Sequence, residues 1–504
     1  MKILIEVSGL SQKTFHYFAS HLKKINPDFL FGFIVKSEFR DFLNFDKKYN
    51  NKIFLYPKNF VSAITEIESI IDFEEKAKTS MWEIISKDRN IGGTYQSNSV
   101  GYGSSIQSDK NSLINIFSNK LAFYKQIFSD FQPDIFIPAM AQASIDVSIL
   151  EGLCKIHSCE YVVLASARVK NYFSFCNNAM LNITGIDKTY YQENNTNVST
   201  QSRELYTELI NELEAPDYFD SIVDVSPTGS FSESIKLVLV KPFVLFFEAI
   251  KYGFKNQNFF YAKTAYQIGL KRGIQSIRLK SKSFGIQPKS EDKFIYFPLH
   301  LNPEYSTLFQ GGMITDQIVL IEMLSKSIPS NWTVLVKEHP ATIKFRLRPK
   351  KFYKKISSFP NVFFIRTFED THKIISRSSM IATISGTSAW EAILRGKPVL
   401  TFSPYKDVFN ATDLSSEVKD MNSLPETIRN ELERISNITP EERQKRITKL
   451  LDSILINSFW VTHPKVMVYD EIGSEEQYET CGKELAEGFI NYLQKLKINY
   501  KKNI

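Results

Sequence analysis

Four consecutive small polar residues, Ser385-Gly386-Thr387-Ser388, are the part of this sequence best suited to binding an anion. They follow an apolar, β-prone run (Met380–Ile384) and precede a helix-prone segment (Ala389–Arg395). A loop of this kind at a helix N-terminus offers hydroxyls and N–H groups, and the helix dipole favours negative charge there. The stretch therefore predicts a binding corner for the phosphate and ribose of a nucleotide-linked donor.

The same stretch also has a purely structural interpretation. Ser388 and Glu391 have the spacing of a capping box, in which the two side chains satisfy N–H groups of the first helical turn. Gly396 and Pro398 stand where a helix would end. Both interpretations stay open, since Ser388 and Glu391 could cap the helix and also meet a nucleotide.

Two further polar clusters follow apolar strands in the same half of the chain. His300–Glu304 follows the run Lys293–Leu299, and Glu338-His339-Pro340 follows Thr333–Lys337. Because the carboxyl ends of parallel strands lie along one edge of a sheet, these clusters and the Ser385–Ser388 loop are expected to line one crevice.

These clusters contain the groups that a nucleotide sugar requires. Its phosphate needs N–H groups or hydroxyls, its ribose needs an acceptor, and its leaving phosphate needs a positive or hydrogen-bonding group nearby. The candidates are the Ser385–Ser388 loop for the first, Glu391 for the second, and His339 with Lys337 for the third. No acidic Asp-x-Asp metal site stands out, so we expect a metal-independent reaction with no cofactor besides the nucleotide-sugar co-substrate.

The elements that must position these residues point to an α/β protein of more than one domain. A chain of 504 residues is too long for one core, and apolar strands alternate with helices in both halves, which predicts parallel sheets. The expected units are 1–230, an N-terminal acceptor-side domain; 231–290, a basic and aromatic linker; 291–450, a donor-binding domain; and 451–504, helices packing back on the N-terminal domain. Residues 92–109, rich in Gly, Ser and Asn, predict a long loop or lid.

The cysteine content and the apolar segments indicate the cellular compartment to expect. Four cysteines without metal-site spacing indicate reduced, buried thiols and a cytosolic chain. The first ten residues predict a strand and a turn rather than a signal peptide. The apolar run Leu237–Ile250 is interrupted by Lys241, Pro242 and Glu248 and is too short to span a bilayer.

The interval Ala249–Ser290 is unusually basic, with nine Lys or Arg residues, interleaved aromatic residues and no Asp or Glu. It can be a solvated helical face, a surface that meets anionic lipid headgroups, or a grip on an acidic acceptor. Nucleic acid is a fourth possibility, but no nucleic-acid-binding module accompanies it. We therefore expect no nucleic-acid partner, and a cytoplasmic protein with peripheral contact at the inner face of the membrane.

Two motifs resemble a known family. VKEHP at Val336–Pro340, followed by SGTSAWEAILRGKPV from Ser385, resembles the capsule polysaccharide biosynthesis family, which includes bacterial Kdo transferases. The same pairing is similar to that of GT-B sialyltransferases that use CMP-sugars. Phe297–Thr307 and the helix start Thr315-Asp316-Gln317 also look like this group. The resemblance is clearest over residues 291–410, and in the N-terminal half it is limited to a weaker match at 133–173.

This resemblance implies a GT-B fold, in which two Rossmann-like domains face each other across a cleft and the C-terminal one holds the nucleotide. His339 with Pro340 would contact the donor phosphate or cytidine, the Ser385–Ser388 loop the phosphate, and Glu391 the ribose. CMP-sialyltransferases typically carry an acidic-acidic-glycine motif before the His-Pro pair, and none is identified in this sequence. The catalytic base is therefore left open.

A base must reach the acceptor hydroxyl, so it is expected from the N-terminal half or the interdomain cleft. Asp146 is the first candidate and Glu304 the second. Their structural alternatives are a helix N-cap for Asp146 and a turn residue after Pro303 for Glu304. Arg168 could hold an acidic sugar or an acceptor carboxylate, or be an exposed structural arginine.

Together, these features predict a glycosyltransferase of bacterial surface polysaccharide, either capsule or lipopolysaccharide. It would transfer a sugar from a CMP-linked donor, Kdo-like or sialic-acid-like, to a growing glycan or glycolipid. A UDP-sugar 2-epimerase, a CDP-polyol phosphate transferase and a non-catalytic assembly component remain alternatives. Two other polar sites are expected to be structural: His372 on a helix face, and Asp88-Arg89 as a surface ion pair.

Overall fold

The computed structural model describes most of the chain. The described residues are 1–7, 12–36, 51–57, 66–89, 109–139, 143–192, 198–213, single positions between 239 and 251, 270–271, 273–281, 284–289, 291–342, 348–405, 408, 410, 412–468 and 473–496. Most of the predicted linker 231–290 and nearly all of the glycine-rich segment 92–109 lie outside them. Within the described residues, no helix combines the length and apolar character needed to cross a membrane.

The strands agree closely with the apolar runs of the sequence. In chain order they are β1 (Lys2–Val7), β2 (Leu30–Lys36), β3 (Lys52–Tyr56), β4 (Ile135–Ile137), β5 (Glu160–Tyr161), β6 (Val163–Ser166), β7 (Tyr172–Cys176), β8 (Phe294–Pro298), β9 (Thr333–Lys337), β10 (Val362–Ile365), β11 (Met380–Thr383), β12 (Val399–Thr401), β13 (Ser416–Glu417) and β14 (Phe459–Trp460).

Helices fill most of the intervals between the strands. They are α1 (Gln12–Ile25), α2 (Ile67–Ala77), α3 (Met81–Ser86), α4 (Lys110–Phe131), α5 (Ile145–Ile156), α6 (Ile186–Tyr191), α7 (Thr200–Glu212), α8 (Tyr305–Leu308), α9 (Gln317–Ser327), α10 (Lys350–Ile356), α11 (Thr371–Arg377), α12 (Thr387–Leu394), α13 (Leu424–Ser436), α14 (Pro440–Asn457), α15 (Pro464–Val468) and α16 (Glu475–Lys495).

Two parallel sheets carry the architecture. The N-terminal sheet has the order β3-β2-β1-β4-β5 and the C-terminal sheet the order β10-β9-β8-β11-β12-β13. Every pairing within them is parallel. In both, the order reverses beside the first strand, which is the Rossmann arrangement. The predicted α/β fold with two Rossmann-like domains, as in GT-B proteins, is confirmed.

The domains meet near the carboxyl ends of their strands. The hairpin of β6 and β7 lies beside the Ser385–Ser388 loop, and one hydrophobic cluster includes Tyr161 and Ile183 of the first domain with Leu308 and Phe309 of the second. Ligands of open α/β sheets bind in the crevice beyond these strand ends. The fold therefore brings the predicted polar clusters of the second domain to the boundary with the first.

The end of the chain returns to the N-terminal domain. Strand β14 pairs antiparallel with β7, and α16 packs along α1, where Lys13 and Tyr17 both hydrogen-bond to Glu475. Contact between the helices is close at Gly482, where a Cβ atom would lie 2.4 Å from Cβ of Tyr17. The four cysteines are buried and form no disulfide, as the sequence indicated.

The Gly482 contact gives a test of this packing. We expect Gly482→Ala to lower the free energy of unfolding by about 1–3 kcal/mol, because the added methyl group forces α1 and α16 apart. Denaturant unfolding followed by circular dichroism measures it. Lys483→Ala, at the exposed neighbouring position, is the control and should have a much smaller effect. Equal stability of Gly482→Ala and the parent protein would contradict the close helix contact.

Candidate functional site

The Ser385–Ser388 loop opens helix α12, but its cap differs from the predicted one. The helix begins at Thr387, and Gly386 occupies the N-cap position without a capping side chain. Ser388 therefore lies inside the first turn, and the predicted capping box with Glu391 is wrong. The physical reason is a turn that starts the helix two residues earlier than expected, where the N–H of Gly386 donates to Oγ1 of Thr383 at 3.3 Å.

Because α12 begins at Thr387, hydrogen-bond donors remain available at its N-terminus. The first N–H groups of an α-helix have no acceptor within the helix, and the described residues place no acceptor on the N–H groups of Thr387 and Ser388. The Ser388 hydroxyl is buried and has no partner in the described part of the chain. Together with the helix dipole, these groups form a site for an anionic oxygen.

His300, which the sequence placed in a polar cluster at this edge of the sheet but to which it gave no role of its own, lies against this loop. A Cβ atom at position 386 would lie 3.2 Å from Cε1 of His300, so a larger residue than glycine would require the ring to shift by a few tenths of an ångström. Nε2 of His300 is 3.0 Å from Oγ1 of Thr383. That hydroxyl already accepts from Gly386, and its proton needs an acceptor, so we infer that Nε2 accepts and Nδ1 carries the proton.

His339 lies in the loop after β9 and is oriented by its own turn. Pro340 lacks an N–H group and fixes the backbone, and the next N–H, from Ala341, donates to Nδ1 of His339 at 3.1 Å. In the neutral ring the proton is therefore on Nε2. The His-Pro pair thus presents one N–H donor of defined position, which suits a phosphate oxygen or a base carbonyl.

Both rings stay neutral at physiological pH. Burial lowers the pKa of His300 to about 3, and the nearby charges of His339, Arg168 and Arg348 act in the same direction. Burial likewise lowers the pKa of His339 to about 4. Each ring is a neutral hydrogen-bond donor rather than a cation.

The two histidine loops are fixed by one buried ion pair. Nε of Arg348 donates to Oε2 of Glu338 at 2.8 Å, with both side chains at most 1% exposed. Nη2 of Arg348 donates to the carbonyl oxygen of His300 at 2.6 Å. Glu338 also accepts from the N–H of His339 at 2.8 Å and from the hydroxyl of Tyr353 at 2.8 Å. Glu338, which the sequence grouped with the site, is thus a framework residue.

Lys337 is buried at the end of β9, with 5% of its surface exposed. Its Nζ donates to Oγ1 of Thr371 at 2.5 Å, and burial lowers its pKa to about 8. The described contact is with helix α11, and the predicted role of Lys337 beside the leaving phosphate stays a prediction.

Glu391 lies one turn along α12 from Ser388 and is 2% exposed. Its Oε1 accepts from Nδ1 of His372 at 2.8 Å and from Nε of Arg395 at 3.0 Å. The hydrogen bond to Glu391 raises the pKa of His372. His372, expected only on a helix face, is therefore a partner of the predicted ribose acceptor.

Arg168 connects the two domains, rather than being an exposed arginine. Its backbone has a positive φ of 57°, a conformation that costs energy in a non-glycine residue and often marks a functional position. Its guanidinium donates to the carbonyl oxygen of Ser385 and, at 3.3 Å, to Oε1 of Gln310. Gln310 also accepts from the Ser385 hydroxyl at 2.6 Å. Sequence patterns gave no signal for Gln310.

The two candidate bases occupy different settings. Oδ1 of Asp146 accepts from Nζ of Lys120 at 2.6 Å and from the hydroxyl of Tyr124 at 3.0 Å. It lies in the first turn of α5, whose N-cap residue is Ser144, so Asp146 is not the N-cap. Glu304 is the N-cap residue of α8, beside the interdomain cluster. No contact described here tests either residue as a base.

Asp88 is a buried capping group, which corrects the expected surface ion pair. It is 4% exposed, and its Oδ2 accepts from the N–H of Ile145 at 2.9 Å, at the start of α5. The backbone N–H of Arg89 donates to the carbonyl oxygen of Ala143 at 3.0 Å. These bonds join the end of α3 to α5, so the Asp88-Arg89 pair has a structural role in this domain.

The structure thus brings together the Ser385–Ser388 loop, His339 and Arg168, and adds His300. The described residues contain no group of three or more His, Cys, Asp or Glu side chains arranged to hold a metal ion. Metal independence stays a prediction. The cluster offers an anion the N–H groups at the positive end of α12 and neutral histidine donors, while the Arg168 guanidinium is hydrogen-bonded to the Ser385 carbonyl oxygen.

Solved structures with similar chain paths include transferases and epimerases. The KpsC β-Kdo 2,4-transferase of Thermosulfurimonas dismutans is 9% identical over 69% of this chain and 90% of its own, with a TM-score of 0.34. The 2,7-transferase of the same protein is 11% identical over 72% and 89%, at 0.31. The UDP-GlcNAc 2-epimerase of Neisseria meningitidis, bound to UDP-GlcNAc, is 13% identical over 97% and 100%, at 0.23.

No protein-family model matches this sequence and no curated protein does. Two of the similar structures are Kdo transferases, the class to which the His-Pro and Ser/Thr motifs pointed. Likeness at these identities and TM-scores carries no argument about activity. The fold rests on the two parallel sheets of this chain, and the chemistry rests on its own side chains.

The ion pair beneath the site gives a stability prediction. Glu338 is the acceptor in all four of its described hydrogen bonds. The NH2 group of a glutamine would therefore face at least one donor, and Arg348 would lose its counter-charge. We expect Glu338→Gln to lower the free energy of unfolding by about 3–5 kcal/mol, measured by denaturant titration. Glu442→Gln, in the more exposed pair with Arg446, is the control and should cost about 1 kcal/mol or less.

The neutral histidines predict a loss of stability in acid. Because their folded-state pKa values lie below the ordinary 6.5, the unfolded chain binds protons first as pH falls from about 6.5 towards 4. Stability should therefore decrease across that window, on the order of 1 kcal/mol or more for each ring. The measurement compares the free energy of unfolding at pH 7 and pH 5 in the parent protein and in His300→Gln and His339→Gln. Equal acid sensitivity in all three proteins would contradict the buried neutral state.

Proposed function

We propose that this protein is a glycosyltransferase that takes its sugar from a nucleotide-activated donor bound by the C-terminal domain. The observation that carries the proposal is the open N-terminus of α12, where the Ser388 hydroxyl has no partner among the described residues, next to the neutral ring of His300. The imidazole of His339 interacts electrostatically with that of His300. The N-terminus of α12 lies at the strand ends that face the first domain. Donors in that place would stabilise charge on a leaving phosphate.

A CMP-linked donor fits this electrostatic setting best. The phosphate of a CMP-sugar carries one negative charge, whereas the diphosphate of a UDP-sugar carries two. The two rings are neutral, Lys337 donates to Thr371, and Arg348 is paired with Glu338. The guanidinium of Arg168, the other cation of the cluster, donates to the Ser385 carbonyl oxygen and to Gln310. A helix N-terminus with neutral donors suits a single charge. The His-Pro and Ser/Thr motifs, which resemble those of CMP-sugar and Kdo transferases, support the same donor class.

The chemical step follows from these roles. The acceptor hydroxyl attacks the anomeric carbon of the sugar, a base takes its proton, and the bond from that carbon to the phosphate oxygen breaks. The oxygen leaves with the electron pair, and its charge would be received by the N–H groups of Thr387 and Ser388 and the Nε2–H of His339. Glu391 would accept from the ribose.

The acceptor would bind on the first domain, with Arg168 near the boundary. Its guanidinium lies within hydrogen-bond reach of the Ser385 carbonyl, so an acidic sugar or acceptor carboxylate there would meet a fixed fork of donors. Asp146 is the preferred base and Glu304 the second. Because Asp146 is held by Lys120, its use as a base would require that pair to open.

The cellular role proposed is synthesis of a bacterial capsule or lipopolysaccharide, at the inner face of the cytoplasmic membrane. The supporting features are the motif resemblance and the acid-free basic interval Ala249–Ser290. A UDP-sugar 2-epimerase is the second candidate, since the Ser385–Ser388 loop followed by Glu391-Ala392 is also similar to the corner that such enzymes carry. Conversion of a free nucleotide sugar without any acceptor would favour it.

Ser388 provides a test that separates binding from folding. Its hydroxyl is buried without a described partner, so Ser388→Ala should leave the free energy of unfolding unchanged or slightly higher. The same change should weaken CMP binding about tenfold, through the loss of one hydrogen bond to a charged group. A thermal-shift panel with CMP, CDP, UDP and GDP identifies the nucleotide, and calorimetry measures its affinity.

The panel has clear controls. Ser436→Ala, at an exposed serine of α13, should bind CMP like the parent protein. His339→Ala should abolish sugar transfer and weaken nucleotide binding while the fold survives. Unchanged turnover in His339→Ala would contradict the proposed donor site. A selective thermal-shift response to UDP would exclude the CMP-linked donor.

A further inference from the structure

The two oxygens of the Glu391 carboxylate differ in their hydrogen bonds. Oε1 receives two hydrogen bonds, from Nδ1 of His372 at 2.8 Å and from Nε of Arg395 at 3.0 Å. Within the described part of the chain no hydrogen bond reaches Oε2, although the residue is 2% exposed. One oxygen of a nearly buried carboxylate is therefore fixed and the other keeps its capacity to accept.

The two donors to Oε1 are themselves anchored. The backbone N–H of His372 donates to Oδ1 of Asp370, the N-cap residue of α11, at 2.9 Å. Nη2 of Arg395 donates to the carbonyl oxygen of Leu213 at 2.8 Å, next to the end of α7. One donor comes from helix α11 and the other from the C-cap residue of α12, which Leu213 holds in turn, so the carboxylate is oriented by two anchored donors.

The direction of the hydrogen bond from His372 is also fixed. An ionised carboxylate only accepts hydrogen bonds, so Nδ1 of His372 carries a proton whether the ring is charged or neutral. The contact therefore persists on both sides of the ring's titration. A donor of this kind fixes the orientation of the carboxylate and therefore the position of its second oxygen. Outer hydrogen-bond partners orient metal-binding side chains in the same way.

Oε2 belongs to the same helix turn as the proposed phosphate donors. Glu391 follows Ser388 by three residues, so the two side chains lie on one face of α12. A ribose attached to a phosphate at the helix N-terminus would have its hydroxyls one turn along the helix. Hydroxyl groups are the donors that such an acceptor needs.

We infer that His372 is a positioning residue, which together with Arg395 orients Glu391 so that Oε2 accepts from a ribose hydroxyl of the nucleotide. This inference rests on the proposed function, which supplies the nucleotide. It adds that discrimination between ribose and deoxyribose is set partly by a residue that does not touch the ligand. It also explains why the sequence pattern around Glu391 alone did not reveal His372.

The test measures sugar discrimination rather than affinity alone. Dissociation constants for CMP and 2′-deoxy-CMP, 3′-deoxy-CMP, and UDP and 2′-deoxy-UDP are determined by calorimetry. The proteins are the parent chain, Glu391→Gln, His372→Ala, His372→Asn and Lys373→Ala. Asparagine places an amide N–H near the position of Nδ1, and Lys373, the exposed neighbour on α11, is the matched control.

In the parent protein and in Lys373→Ala we expect a ribonucleotide to bind about tenfold more tightly than one of its deoxy forms. In His372→Ala this ratio should fall towards one, with little change in affinity for the deoxynucleotide. His372→Asn should restore part of the ratio. Should His372→Ala fail to fold, the ratios in His372→Asn and Glu391→Gln still decide the question.

Three results would overturn the inference, and they are distinguishable. If His372→Ala keeps the parent ratio, or weakens every nucleotide equally, His372 has only a structural role. If the parent protein binds CMP or UDP without preferring ribose, Glu391 does not accept from the sugar, while the proposed donor site stands. If the parent protein binds none of the five nucleotides, the proposed function itself fails and this inference with it.

Discussion

The buried ion pair of Glu338 and Arg348 is the constraint on which the candidate site depends. Burying two charges is costly unless they are paired and hydrogen-bonded. Here the carboxylate accepts four hydrogen bonds, and the guanidinium donates through Nε to Glu338 and through Nη2 to the carbonyl oxygen of His300, while Nη1 has no partner among the described residues. The loops after β8 and β9 are thereby fixed to one another. The positions of both imidazoles therefore depend on this ion pair.

A second feature is that the candidate site offers an anion oriented N–H groups, whereas Lys337 and Arg168 are hydrogen-bonded to other protein groups. The positive end of α12 and the neutral ring of His300 lie beside Gly386, and Lys337, which precedes Glu338 and His339 in the sequence, is directed to Thr371. Oriented N–H groups need no reorganisation when a charge develops on a leaving oxygen. A mobile cation would bind a dianion more strongly but would discriminate less between leaving groups.

Much of the fold could be predicted from the sequence, because apolar runs ending in Gly, Pro or polar residues define strands locally. Met380–Thr383 and Thr387–Leu394 are examples. The site was predictable only where its residues follow such strands. His372 and Glu391 are on different helices, and Arg168 reaches Ser385 across 217 positions, so these contacts depend on packing that no local pattern contains. The capping box failed because the turn at Gly386 closes through Thr383, a strand residue.

The return of α16 to α1 has a consequence for how this protein reaches its native state. One face of the first sheet, with Ile3 and Phe33, and Phe18 of α1 share a hydrophobic cluster with Phe489 and Leu493 of α16. On the ribosome, the first domain would emerge with that face open and wait for the whole second domain to be translated before it is covered. Until then, an apolar surface is exposed to solvent, and the nascent chain depends on fast folding of the second domain or on a chaperone to avoid aggregation.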